Sequence, residues 1–96
     1  MDLYQQLESL LELASEVGIT LRRLAGPAAG AEYPGGALVR LRGKDVLFLD
    51  STAAIADQLA VTAAALSGRK ELEDRFMPPQ LRAAIDEHAG RIRGAP

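Results

Sequence analysis

Apolar residues recur at steps of three and four through the first seventeen positions, as Leu3, Leu7, Leu10, Leu11, Ala14 and Val17. Side chains three and four apart share a face, so this spacing lays one apolar stripe along a helix over residues 2–17. Asp2 stands where an N-cap carboxylate accepts the free amides of the first turn. Gly18 follows the last periodic residue, where a helix commonly needs a left-handed backbone to end. Ile19-Thr20-Leu21 switches to alternation and predicts a first strand over 19–24. The segment AGPAAGAEYPGG, residues 25–36, has no period and is rich in Gly, Pro and Ala. It reads as a surface loop and as the most mobile element of the chain. Tyr33 within it either anchors the loop against the domain or belongs to a binding surface.

The strongest local pattern comes next, where ALVRLR and DVLFLD flank Gly43-Lys44. Gly in the first central position of a two-residue loop suits a type II′ turn. The hairpin is therefore expected between Ala37–Arg42 and Asp45–Asp50. In that register Arg42 faces Asp45, Leu41 faces Val46, Arg40 faces Leu47, Val39 faces Phe48 and Leu38 faces Leu49. The two faces differ. Val39, Leu41, Val46 and Phe48 make a wholly apolar face expected to carry the main core, whereas the other mixes Leu38, Leu47 and Leu49 with Arg40. VLFLD is apolar on both faces and is expected in the centre of the sheet, in the strand order 1-3-2, with a simple meander as the alternative. Either order leaves two sheet edges to be covered, charged or paired with a second copy.

Asp50-Ser51-Thr52 offers N-cap residues for a second helix over 53–67, in which Ile55, Leu59 and Leu66 keep helical spacing and Gly68 follows the end. Alanines at 53, 54, 56, 60, 63, 64 and 65 keep this helix slender, so it can approach its neighbours closely as the central packing helix. Glu71–Phe76 allows a short helical turn. Met77-Pro78-Pro79 breaks it and opens a last helix, since proline is tolerated in a first turn. Leu81, Ala84, Ile85 and His88 mark the face of that helix, and residues 91–96 are expected to fray as a flexible tail. The elements add up to an α+β fold in a single domain over residues 1–90. It has an N-terminal helix, a three-stranded sheet containing the hairpin, an alanine-rich helix and a short C-terminal helix.

Composition agrees with one modest core, at 96 residues, 48% hydrophobic and 25% charged. There is no Cys, so packing must supply the stability and a reducing compartment fits. The N-terminus lacks the basic and continuously apolar regions of a secretory signal, and no apolar stretch approaches bilayer-spanning length. A cytoplasmic location with no membrane partner is expected. The net charge of −2 conceals an uneven distribution. Residues 1–17 hold four acids (Asp2, Glu8, Glu12, Glu16) and no base, while 18–49 hold five bases and two acids, a local charge of +3. That is far below the density of a dedicated nucleic-acid binder.

Catalytic chemistry is sparse. His88, the one histidine, cannot supply a typical zinc site alone, and no Ser among Ser9, Ser15, Ser51 and Ser67 sits in a nucleophile-elbow context. Gly43-Lys44 lacks the upstream glycines and following Ser/Thr of a phosphate loop. Glu73-Asp74 and Asp86-Glu87 are adjacent pairs that point apart on a helix. No catalytic residue, cofactor or metal ligand is assigned.

The order helix, strand, hairpin, helix and Met-Pro segment resembles the ImmA/IrrE-type zinc metallopeptidases. LASEVGITLRRL is similar to their opening helix-to-strand segment, VLFLDSTAAIADQLAVTAAALSG to their strand and active-site helix, and RFMPPQLRAAI to their leucine- or methionine-proline segment. The resemblance implies a zincin-like fold and a His-Glu-x-x-His helix. Here that place is held by Ala63, Ala64, Ala65, Leu66 and Ser67, so neither zinc ligands nor a general base remain. It thus implies a metal-free relative, a pseudoenzyme of bacterial type.

The leading expectation is a non-enzymatic interaction or regulatory module with an unknown protein partner, or a self-associating homodimer. Its expected surface is Tyr33, Leu38, Arg40, Arg42, Lys44, Leu47 and Leu49. A weak nucleic-acid binder using Arg22, Arg23, Arg40, Arg42 and Lys44 is the second reading, opposed by the negative overall charge. An enzyme with a composite carboxylate and arginine site is the third.

Overall fold

A computed structural model describes residues 1–27 and 34–89. Half of the loop over 25–36, residues 28–33 with Tyr33 among them, and the tail over 91–96 lie outside the described residues.

Helix α1 spans Leu3–Glu16. The Asp2 carboxylate accepts from the Gln5 amide at 2.8 Å, and the Asp2 amide donates to the Gln5 side chain, a reciprocal cap that fixes the start of the helix. Leu7, Leu10, Leu11, Leu13 and Ala14 are buried, while Leu3 is half exposed, so the stripe shifts toward the helix's C-terminal half. After Gly18, strand β1 covers Thr20–Leu24, β2 covers Gly36–Leu41 and β3 covers Lys44–Asp50. The sheet order is β1-β3-β2, with β1 parallel and β2 antiparallel to β3, which is the expected 1-3-2 arrangement.

The hairpin turn differs from the expected one. Its central residues are Arg42 (φ +51°) and Gly43 (φ +79°), not Gly43 and Lys44. Two successive positive φ values make a type I′ turn, whose twist matches that of the paired strands. Leu41 then pairs with Lys44, Arg40 with Asp45, Val39 with Val46 and Leu38 with Leu47. Arg40 secures this register by donating to the Asp45 carboxylate at 3.1 Å and to the Gly43 carbonyl at 3.0 Å. Every pair is displaced by two residues from the expected one, and an even displacement leaves each side chain on its own face. At the other end of β2, a Cβ on Gly36 would overlap the Phe48 carbonyl oxygen, so only glycine fits there.

The second correction concerns which face is buried. Leu47 and Leu49 are fully buried in the core, with Leu21 and Leu38 packed against it, whereas Leu41 is 47% exposed on the opposite side. The parallel register of β1 supplies the reason. It joins Leu21 to Leu47, and Arg22 to Phe48. It also sets Arg23 beside Leu49, so each side of β1 carries an arginine that stays exposed, and the side that is buried is the one on which Leu21, Leu38, Leu47 and Leu49 meet.

Helix α2 covers Ile55–Leu66, starting two residues later than expected, with Ala54 as N-cap and no side-chain cap. The Asp50 carboxylate instead accepts from the Thr52 amide at 2.9 Å and the Thr52 hydroxyl at 2.6 Å, closing the turn between β3 and the helix. Every residue from Gln58 to Leu66 is buried, because α2 lies between α1 and α3 and over β2 and β3. Its alanines permit the close approach, and Thr62 satisfies its buried hydroxyl on the Gln58 carbonyl at 2.8 Å. The helical turn expected at 71–76 is a 3₁₀ turn at Lys70–Leu72. Helix α3, Pro79–Glu87, buries Leu81, Ala84 and Ile85 against α2 and α1.

The face assignment has a direct thermodynamic test. Leu47→Ala is expected to cost about 2–5 kcal/mol by leaving a cavity, while Leu41→Ala changes stability by less than about 0.5 kcal/mol. Equilibrium denaturation of the two variants measures both, and equal losses would contradict the burial pattern.

Candidate interaction surface

All three helices pack on one side of the sheet or on each other, so among the described residues the other side of the sheet is bare. Alternation places Val39 and Leu41 of β2, Val46 and Phe48 of β3, and Thr20 and Arg22 of β1 on that side. Val46 is buried by its flanking strands, Phe48 and Val39 are half-buried, and Leu41 is exposed. All of these but Val39, together with the turn, shape an open cleft of about 730 Å³. Arg22, Arg23, Arg42 and Lys44 line it, and among the described residues no carboxylate does. None of these four cations has an ion-pair partner among the described residues.

The structure divides the surface expected from sequence. Arg42 and Lys44 stand on the rim of the bare face. Leu47 and Leu49 are core residues and Leu38 packs against the core, so these three leave the candidate surface. They were grouped with it on the premise that the wholly apolar face is the buried one. Arg40 is exposed on the helix side, where it pairs with Asp45. Tyr33 lies outside the described residues. Val39, Leu41, Val46 and Phe48 join the surface instead. The alternation in β1 gave only a partial signal, because Leu21 shares its side with Arg23 while Leu24 shares the other with Thr20 and Arg22.

The other charged clusters are structural. Asp45 receives Arg69 at 2.7 Å and Arg40 at 3.1 Å, tying the segment after α2 to the hairpin. The Arg69 hydrogen bond is the chief cause that lowers the Asp45 pKa; burial opposes it, and the attraction of Arg69 and Arg40 adds to the lowering. Asp50 is lowered chiefly by the Thr52 hydroxyl and then by backbone amides. His88 caps the end of α3, with its Nε2 4.0 Å from Glu87 and its buried Nδ1 without a partner. Ala63, Ala64, Ala65 and Leu66, at the place compared with a zinc-binding helix, are wholly enclosed by the core. Among the described residues no three His, Asp or Glu side chains are grouped to hold a metal ion.

No helix among the described residues is long and apolar enough to cross a membrane. Compared with protein-family models, with curated proteins and with solved structures, the chain finds no match.

Both lowered aspartates make stability depend on acid. Their folded pKa values lie below the unfolded value of about 3.9, so unfolding takes up protons. The stability they contribute is complete above that value and is lost as pH falls through the lower folded values. Urea midpoints are expected to hold steady from neutral pH to about 5 and to fall below about 4. The Asp45→Asn/Asp50→Asn double variant should be less stable at neutral pH and show a shallower acid decline. An undiminished decline would assign acid sensitivity to other carboxylates.

Proposed function

We propose that this chain is a non-enzymatic protein-interaction module that binds its partner across the bare face of the sheet. One observation carries the reading: an apolar strip of Leu41, Val39 and Phe48 faces outward, framed by four cations that, among the described residues, have no ion-pair partner and no carboxylate beside them. A contiguous apolar surface rimmed by charge is the usual form of a docking site. Covering it removes apolar area from water, while the rim steers and orients a partner bearing Asp or Glu.

The non-enzymatic part rests on residue chemistry. The chain has no Cys, and its one His stands at the end of α3 beside Glu87. Descent from the ImmA/IrrE-type metallopeptidases belongs to the same proposal, supported by the order of elements and by alanines at the zinc-helix position. A cytoplasmic setting fits the cysteine-free composition.

A second reading has one observation in its favour. Phe48 shares the bare face with Arg22, its neighbour across the parallel strand pair. An aromatic ring beside arginines on an open sheet can stack an unpaired base while the cations hold phosphate. The remaining floor is aliphatic and the net charge is −2, which weakens that reading.

Affinity capture with the wild-type chain and with Leu41→Glu, each shown to be folded by circular dichroism, tests the module. A partner retained by the wild type and lost by the variant is the expected result, and equal capture by both would refute the assigned face. For the second reading, titration with a fluorescent single-stranded oligonucleotide at low salt is expected to show no binding. Salt-sensitive binding abolished by Phe48→Ala would reverse the order of the two readings.

A further inference from the structure

The same chain that presents a basic, apolar cleft also presents an acidic, apolar helix end. Five large hydrophobic side chains are exposed among the described residues, and three of them are Met1 (47%), Leu3 (49%) and Tyr4 (59%) at the start of α1. A fourth is Leu41 of the bare face. Residues 1–17 carry four acids and no base. Asp2 is engaged in its own helix cap and Glu16 is paired with Arg75, which leaves Glu8 and Glu12 without an ion-pair partner among the described residues. Tyr4, Glu8 and Glu12 are spaced by four and therefore form one continuous strip.

Cleft and helix end are complementary in both respects: apolar against apolar, unpaired carboxylates against unpaired cations. They cannot meet within one molecule, because α1 packs on the opposite side of the sheet. Two copies joined face to face would set Arg22, Arg23, Arg42 and Lys44 against the same four residues, a like-charge arrangement that costs free energy. Head-to-tail contact avoids this.

We infer that the occupant of the bare sheet face is a second copy of this chain, which inserts Leu3 and Tyr4 over Leu41 and Phe48. Glu8 and Glu12 then lie against the basic rim. The inference rests on the open-face reading above and names its partner. Such a contact uses different surfaces on the two copies, so it generates chains or closed rings rather than a twofold dimer.

Sedimentation equilibrium of the full chain at low and high salt tests it. Association is expected to rise with concentration beyond a dimer and to weaken with added salt. Two variants separate the surfaces: a helix-end variant, Leu3→Ser/Tyr4→Ser/Glu8→Gln, and a face variant, Leu41→Ser/Arg42→Gln. Each alone should associate about tenfold more weakly or worse. Their equimolar mixture should recover a 1:1 complex at wild-type strength, because one supplies an intact face and the other an intact helix end. The altered residues are at the surface, and matching thermal melts verify the fold. A mixture that does not recover overturns the head-to-tail contact. A wild type that stays monomeric at millimolar concentration also overturns it. If Leu41→Glu nevertheless abolishes partner capture, the open-face reading survives with another occupant; if capture too is unaffected, both fall.

Discussion

The parallel register between β1 and β3 is the constraint from which the rest of the structure follows. By setting Leu21 beside Leu47, it lines up Leu21, Leu38, Leu47 and Leu49 on one side of the sheet, and Arg22 beside Phe48 on the other. The helices cover the leucine side, where Arg23 and Arg40 stay exposed at its margins. The location of the core, the exposure of Leu41 and the basic rim are consequences of that pairing.

Helix α2 is the second determinant, and it works through what its side chains lack. Nine consecutive residues, Gln58 to Leu66, are buried, so this helix has no solvated face in its central turns. Alanine makes that possible, since small side chains let α1, α3 and the sheet close around one cylinder. The polar atoms that enter the core are satisfied locally, Thr62 on Gln58 and Gln58 on Ala53.

The charge distribution acquires meaning only from this layering. A net charge of −2 looks unremarkable along the chain. In three dimensions the acids of α1 and the cations of the bare face lie on opposite sides of the molecule, where they cannot neutralise each other. Charges separated in this way are satisfied between molecules more readily than within one. The arginines that are engaged internally, Arg40 and Arg69 on Asp45 and Arg82 on the carbonyls of Leu72 and Arg75, serve to fix loops.

Much of the fold was legible from sequence. The i, i+3, i+4 stripe of α1, its Asp2 cap, the alternation at β1, the hairpin and the proline start of α3 are local features, governed by interactions within a few residues. Strand order 1-3-2 was legible too, because VLFLD is apolar on both faces. The candidate surface was not. Alternation in Val39, Leu41, Val46 and Phe48 shows that they share a face, and an even register change in the turn leaves that unaltered. Which face is buried depends on a partner strand more than twenty positions away in the chain. The sequence by itself determined the elements and their two-sidedness, since these arise from backbone periodicity. Tertiary structure alone decided which side met the helices, since Leu21 joins Leu38, Leu47 and Leu49 only once β1 is laid beside β3.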